Sequence, residues 1–186
     1  MTMHRTVAVA GVLTLSALLL PTAISSPARS ATSADARVAL LDRPARPADS
    51  VPAAVAAQID AKEIDLSSSR LAAVRGTRQY YVARGARGLC LIQVDEGPAY
   101  AATCASTLVA GGVYLATLDR QKGTMQLADV VPDDVTQASV AGAAVAAANN
   151  LVLADDVPIG APVTVDAPTG SVAVPIGTGA SVQPGG

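Results

Sequence analysis

The chain has 186 residues, 13 basic against 15 acidic, with a formal net charge of −2. That length suits one domain with accessory segments, and the near-neutral charge argues against a dedicated nucleic-acid binder, which carries a strong basic excess. Hydrophobic residues make up 51%, yet 39 residues are Ala, Phe and Trp are absent, and the only aromatics are Tyr80, Tyr81, Tyr100 and Tyr114.

Any core is therefore a modest one of Val, Leu and Ile. The N-terminus reads as an address. Arg5 supplies a short basic start, and residues 6–20 form an uncharged run rich in Val, Leu and Ala. A membrane span needs about 20 apolar residues, so this run fits a secretory leader better. Pro21 ends it, and Ser26-Pro27-Ala28 offers small side chains for cleavage after Ala28. Ala23-Ile24-Ser25 and Ala34-Asp35-Ala36 are competing sites. The expectation is a signal peptide over 1–28, export to the extracellular space or cell envelope, and no stable membrane span afterwards. Cleavage would leave 12 basic and 15 acidic residues and no histidine, because the only one is His4.

Residues 29–50 are rich in Ala, Ser, Asp, Arg and Pro without hydrophobic periodicity, and are expected to form a flexible lead. A helix is expected over 51–66. Asp49 or Ser50 can cap it, Pro52 is tolerated in its first turn, and Val51, Val55 and Ile59 share one stripe. Ser67-Ser68-Ser69 should end it.

From Arg70 the pattern changes to short apolar runs at 71–74, 79–83, 89–94, 99–105, 113–118 and 125–131, punctuated by Gly. Closely spaced strands with Gly turns predict an antiparallel sheet, sandwich or small barrel. Residues 136–148 read as a hairpin, although their Ala content also suits a helix. A second hairpin is expected from 163–165 and 171–174, and 178–186 should be a disordered tail. The fold class is therefore mainly β (or α+β), a small sandwich-like or barrel-like domain over 51–177 with one N-terminal helix.

Cys90 and Cys104 are the only cysteines. An even count behind a secretion signal predicts a disulfide. With a turn at Glu96-Gly97-Pro98, residue i faces residue 194−i, which sets the two cysteines directly opposite. Closing a loop of about 15 residues stabilises a fold by roughly 3 kcal/mol in the chain-entropy view. A redox role is disfavoured, since thioredoxin-type pairs are separated by only two residues.

Chemistry is mostly excluded. Without a histidine in the exported chain there is no Ser-His-Asp or Cys-His triad, and zinc loses its commonest non-sulfur ligand. No phosphate-cradling Gly-rich loop or Gly-x-Ser-x-Gly occurs. The expectation is no catalytic residue, no metal and no cofactor. The carboxylate pairs Asp95-Glu96, Asp133-Asp134 and Asp155-Asp156 could serve glycoside hydrolysis, but each reads first as a solvated turn. Arg70, Arg75, Arg78, Arg84 and Arg87 form a basic segment that includes Tyr80 and Tyr81. Arg75, Arg78, Tyr80, Arg84 and Arg87 are the candidate binding surface, of a kind that could hold anionic wall polymer or nucleic acid; the partner expected for the whole chain is cell-wall polymer or an extracellular protein, and no nucleic acid. The segment reads first as ordinary edge-strand charge that prevents sheet aggregation.

Tyr80-Tyr81-Val82, Gly88-Leu89-Cys90-Leu91, the second cysteine Cys104, Val130-Val131-Pro132-Asp133-x-Val135 and Asn149-Asn150-Leu151 follow one another in this order. Together they resemble uncharacterised secreted proteins of actinobacterial type, over residues 70–156. The resemblance implies a signal peptide, a small Cys-paired β-rich domain and strand-turn-strand over 136–153. It implies no activity, substrate or catalytic residue. The functional expectation is a non-enzymatic binding or envelope-associated module. Alternatives are a protease inhibitor presenting the loop at Glu96-Gly97-Pro98, or a small carboxylate-dependent glycan hydrolase.

Overall fold

The computed structural model describes residues 37–106, 108, 113–167 and 170–174. The leader over 1–28, residues 29–36 of the lead and the tail over 178–186 lie outside the described residues. The protein is mainly β, with two antiparallel sheets, one of them curled into a half-barrel. β1 (Ile64–Arg75), β2 (Arg78–Gly85), β3 (Gly88–Val94) and β4 (Tyr100–Ala105) form a four-stranded meander in chain order. The second sheet holds β5 (Tyr114–Asp119), β6 (Thr124–Val130), β7 (Gln137–Val140), β8 (Ala143–Ala148), β9 (Leu151–Pro158), β10 (Val163–Ala167) and β11 (Gly170–Ala173). Its spatial order is β11-β10-β7-β8-β9-β6-β5. No helix among the described residues is long and apolar enough to cross a membrane.

Three apolar clusters define the layering. Val51, Val55, Ile59 and Ile64 cover one face of the meander through Tyr81, Ala83, Cys90, Ile92 and Val94. Its other face presents Tyr80, Val82 and Leu91 to Ala128, Val130 and Leu151 of the second sheet. The inner side of the curl holds Met125, Leu127, Val140, Val152, Val157 and Val163. A strand covered on both faces needs apolar residues at consecutive positions. Tyr80, Tyr81, Val82 and Ala83 of β2 are all buried for that reason.

Turn chemistry fixes the second sheet. Ala141 and Gly142 join β7 to β8 with φ of 52° and 81°, and Asn149 and Asn150 join β8 to β9 with φ of 50° and 60°. Two-residue hairpin turns of this kind require positive φ at both positions, which Gly and Asn tolerate best. The hairpin expected over 136–148 is thus present, as is the one formed by β10 and β11. Pairing outcompetes the helical propensity of the Ala run because Val140 and Val152 bury against the curl.

Two expectations at the N-terminal side are corrected. The helix over 51–66 is a single turn, Ala53–Ala56. An isolated short helix is marginal, and Asp60 diverts the chain by accepting the Lys62 backbone N–H at 2.9 Å. β1 then claims Ile64 and Asp65, which pair with Gly85 and Arg84. The three serines lie inside β1, in the register shift between Asp65 and Arg70, where the Asp65 carboxylate accepts from Ser67 Oγ at 2.6 Å. The lead expected over 29–50 is part of the fold from residue 37 onward. Val38, Leu40 and Leu41 are buried between the sheets, and Asp49 is 3% exposed. Apolar content too sparse to show periodicity still suffices when a preformed groove receives it.

The disulfide joins Cys90 and Cys104 across β3 and β4, in the predicted register. Gly85 packs against it. A Cβ there would stand 2.5 Å from Cys90 Sγ and 2.6 Å from the Glu63 carbonyl oxygen, so only glycine fits beside the bridge.

Candidate functional site

The Arg segment is divided between two ends of the meander. Arg75 and Arg78 flank the β1–β2 turn; Arg84 and Arg87 flank the β2–β3 turn. At the first end Arg75 Nη2 lies 2.6 Å from Asp155 Oδ2, and Arg78 Nε lies 2.6 Å from Asp95 Oδ1. Arg78 also donates to Gln126 Oε1, which the Tyr80 hydroxyl reaches at 2.9 Å. Gln126 in turn donates to Asp155. Arg75, Asp155, Gln126, Arg78 and Asp95 therefore form one chain of hydrogen bonds that ties the two sheets together. At the other end the pairs are loose, Arg84 with Asp42 at 3.7 Å and Arg87 with Glu63 at 3.8 Å. Exposed pairs of this kind contribute little.

Tyr80 does not belong to a surface. Its ring is fully buried, and only its hydroxyl meets the polar chain at the seam. Burial pushes its phenol above the ordinary value. Tyr81 is likewise core, with its hydroxyl donating to Gln79 at 2.8 Å. Two tyrosines of the candidate binding segment, Tyr80 and Tyr81, are instead the largest side chains of a core without Phe or Trp.

Beside this hydrogen-bonded chain lies an open groove of about 1050 Å³, walled by the β5–β6 turn, Gln126 and the Asp155-Asp156 step of β9. Arg78, Arg120 and Lys122 bring positive charge to it, and Asp119, Asp155 and Asp156 bring negative charge. Thr117, Thr124, Gln121 and Gln126 add hydroxyls and amides. The Asp119 carboxylate sits below its ordinary range because it accepts from the Lys122 backbone N–H, which tightens the turn. Asp155 and Asp156 do not occupy a turn, as the sequence suggests. They form a bulge in β9, where Met125 and Leu127 of β6 face Val157 and Ala154, and Asp156 takes φ of 51°. The bulge is what aims Asp155 at Gln126 and Arg75.

In the other acidic pairs, Asp133 and Asp95 are tied into the fold. Asp133 Oδ1 accepts the Ala39 N–H at 2.7 Å and the Asn150 amide at 2.7 Å, pinning residues 37–42 to the β8–β9 turn. The Asp95–Ala99 connection is closed by the Asp95 N–H donating to the Ala99 carbonyl at 3.0 Å, and Gln58 Nε2 donates to the Pro98 carbonyl at 3.0 Å. Among the described residues no three of His, Cys, Asp and Glu converge as metal ligands.

Sequence reasoning missed Gln126, Asp49 and Asp129. Gln126 is polar at an inter-sheet position of β6, and nothing in its neighbours marks it. Asp49 was legible only as a cap. Its carboxylate accepts from Arg43 Nη1 at 2.7 Å and Nη2 at 2.6 Å, from the Arg46 N–H at 2.7 Å and from the Leu71 N–H at 2.9 Å. The Arg43 guanidinium, above all, holds it far below the usual carboxylate range. Asp129 had a signal: Met125, Leu127, Asp129 and Val131 alternate, so the acid shares the inward face. Comparison with protein-family models, curated proteins and solved structures finds no match.

Proposed function

We propose that the chain is a secreted, non-enzymatic binding module of the cell envelope, and that the groove beside Arg78 and Gln126 receives a hydroxyl-rich wall polysaccharide. The observation that carries this reading is the balanced lining of the groove. A mixture of cations, carboxylates, hydroxyls and amides suits the dense donors and acceptors of a carbohydrate better than it suits a polyanion. The Arg75–Asp155–Gln126–Arg78 chain holds part of that lining in place before any ligand arrives, which lowers the cost of binding. Without an aromatic wall, single contacts are weak, and retention depends on many sites along a polymer. Export is supported by the leader-like first 28 residues and by a disulfide suited to an oxidising compartment.

The carboxylates favour binding over hydrolysis. Of the three carboxylates that line the groove among the described residues, Asp155 faces Arg75 at 2.6 Å and Asp119 faces Lys122 at 3.4 Å, whereas a glycosidase needs one carboxyl held protonated as an acid. The test is co-sedimentation of the full exported chain with insoluble wall polysaccharide at low and high salt. Wild type should be retained at both, because the lining carries no excess charge to screen. Arg120→Gln with Lys122→Gln should lower retention several-fold, and Arg84→Gln with Arg87→Gln should not. No soluble sugar should be released. Loss of retention in the Arg84/Arg87 variant, or retention abolished by salt, would instead support the basic-segment reading.

A second reading rests on the braced loop. Glu96, Gly97 and Pro98 are exposed while Gln58 and Arg78 fix both flanks. That geometry suits an inhibitor loop, and stoichiometric inhibition in a protease panel is its test.

A further inference from the structure

β6 is the strand on which both faces of the second sheet are decided. Gln126, Ala128 and Val130 face the meander, and Met125 and Leu127 face the interior of the curl. Asp129 falls on the inner side. It is 2% exposed, and its Oδ1 has no hydrogen-bond partner among the described residues. Its cross-strand neighbours are Tyr114 of β5 and Val152 of β9.

Among the described residues no counter-charge is paired with it. From β5 the titratable neighbour is the half-buried Tyr114, and from β9 the neighbour is an aliphatic side chain. The charged residues of these strands stand at the far end of the ladder. Asp119 pairs in register with Thr124, and Asp155 is engaged by Arg75 and Gln126. β6 itself has no other charged residue, and β7 has none. The apolar cluster sharing the inner face is built from Met125, Leu127, Val131, Val140, Val152 and Val163. A carboxylate in such a place is costly in its charged form, whereas a carboxylic acid costs far less.

We propose that Asp129 makes the curled sheet a proton-dependent element, closed around the neutral acid and loosened when the carboxyl ionises. Burial raises this carboxyl to about 7. The folded value lies above the unfolded value near 4, so the contribution is fully present below about pH 4. It is lost as pH rises towards 7 and through it. Each unit in that window lowers the folding constant up to tenfold, for a loss of roughly three orders of magnitude in all. The curl would respond first, since β5, β6 and β9 are the strands that surround the group.

The test is thermal and urea denaturation of the full chain from pH 4 to 8.5, for wild type and Asp129→Asn. Asn keeps the shape and does not titrate. Wild type should lose stability steadily across the window, and the variant should lack that slope and overtake wild type above pH 7. Parallel curves for the two proteins would overturn the proposal. Should the variant not fold, the wild-type carboxyl can be followed by carbon NMR together with amide exchange in β5, β6 and β9. A midpoint near 7 with faster exchange above it supports the device. A midpoint below 5, or exchange in those strands that ignores the titration, refutes it.

Discussion

Asp49→Ala is expected to destabilise the domain by about 3–5 kcal/mol, the cost typical of removing one partner from a buried ion pair. Asp49 is 3% exposed and the Arg43 side chain 23% exposed, so neither charge is well served by water alone. Removing the carboxylate also strands the Arg46 and Leu71 backbone donors. The loss propagates. Ser69 Oγ donates to the Asp49 carbonyl at 2.6 Å and Arg70 Nε to the Arg43 carbonyl at 3.0 Å, so the segment 43–49 is fastened to β1 by side chain and backbone together. For a domain of this size the melting temperature should fall by about 10 °C or more. The pH dependence has a definite sign. The folded carboxyl lies far below its ordinary value, so its stabilisation is present above about pH 4 and lost as pH falls. Asp49→Asn should therefore remove part of the acid sensitivity of wild type. A variant that melts with wild type at pH 6 would show that the pair is not a lock.

Replacing Cys90 and Cys104 together by Ser should cost about 3 kcal/mol, from the freedom regained by the unfolded chain. The bridge closes a sequence separation of 14 between adjacent strands. The expected drop is again about 10 °C. The meander has few large residues with which to compensate. Cys90 is fully buried among Ile64, Tyr81 and Ile92, so a hydroxyl there adds a desolvation cost to the lost crosslink. Retention on wall polysaccharide should survive wherever the variant remains folded, because the groove is lined by none of the residues next to the bridge. Differential scanning calorimetry with thiol counting checks both parts. A double variant as stable as wild type would remove the bridge from the account.

The strands β2 to β6 and the hairpins β7–β8 and β10–β11 were legible because Gly-marked turns separate short apolar runs, whereas the start of β1 was read as helix and β9 was not read as a strand over its length. Gly142 marked one positive-φ turn, Asn149 and Asn150 form a second that was not read from the sequence, and Cys90 opposite Cys104 pins a register that a one-residue slip would destroy. The N-terminal third was not legible. Val38, Leu40 and Leu41 have no period because they are read by a tertiary groove and not by a neighbouring turn. The Ala-rich stretch near Val55 favours a helix locally, yet Ile64 and Asp65 gain more from pairing with β2. The site suffered from the same cause. Tyr80 lies between Arg78 and Arg84 along the chain, but a strand covered on both faces buries it while Arg78 reaches the seam. Gln126 and Asp155 meet only through the bulge in β9, and no spacing in the sequence announces a bulge.

Ion pairs and amides at the seam thus do two things. They join the sheets, and they present a preformed polar lining whose charges are already balanced. The most direct measurement of that claim is the amide-exchange footprint of soluble wall-polysaccharide fragments on the full chain. Slowed exchange confined to residues 117–126 and 155–156 is the predicted result. Protection confined to 84–88 or to 95–99, or no protection at fragment concentrations that compete with wall retention, would contradict it.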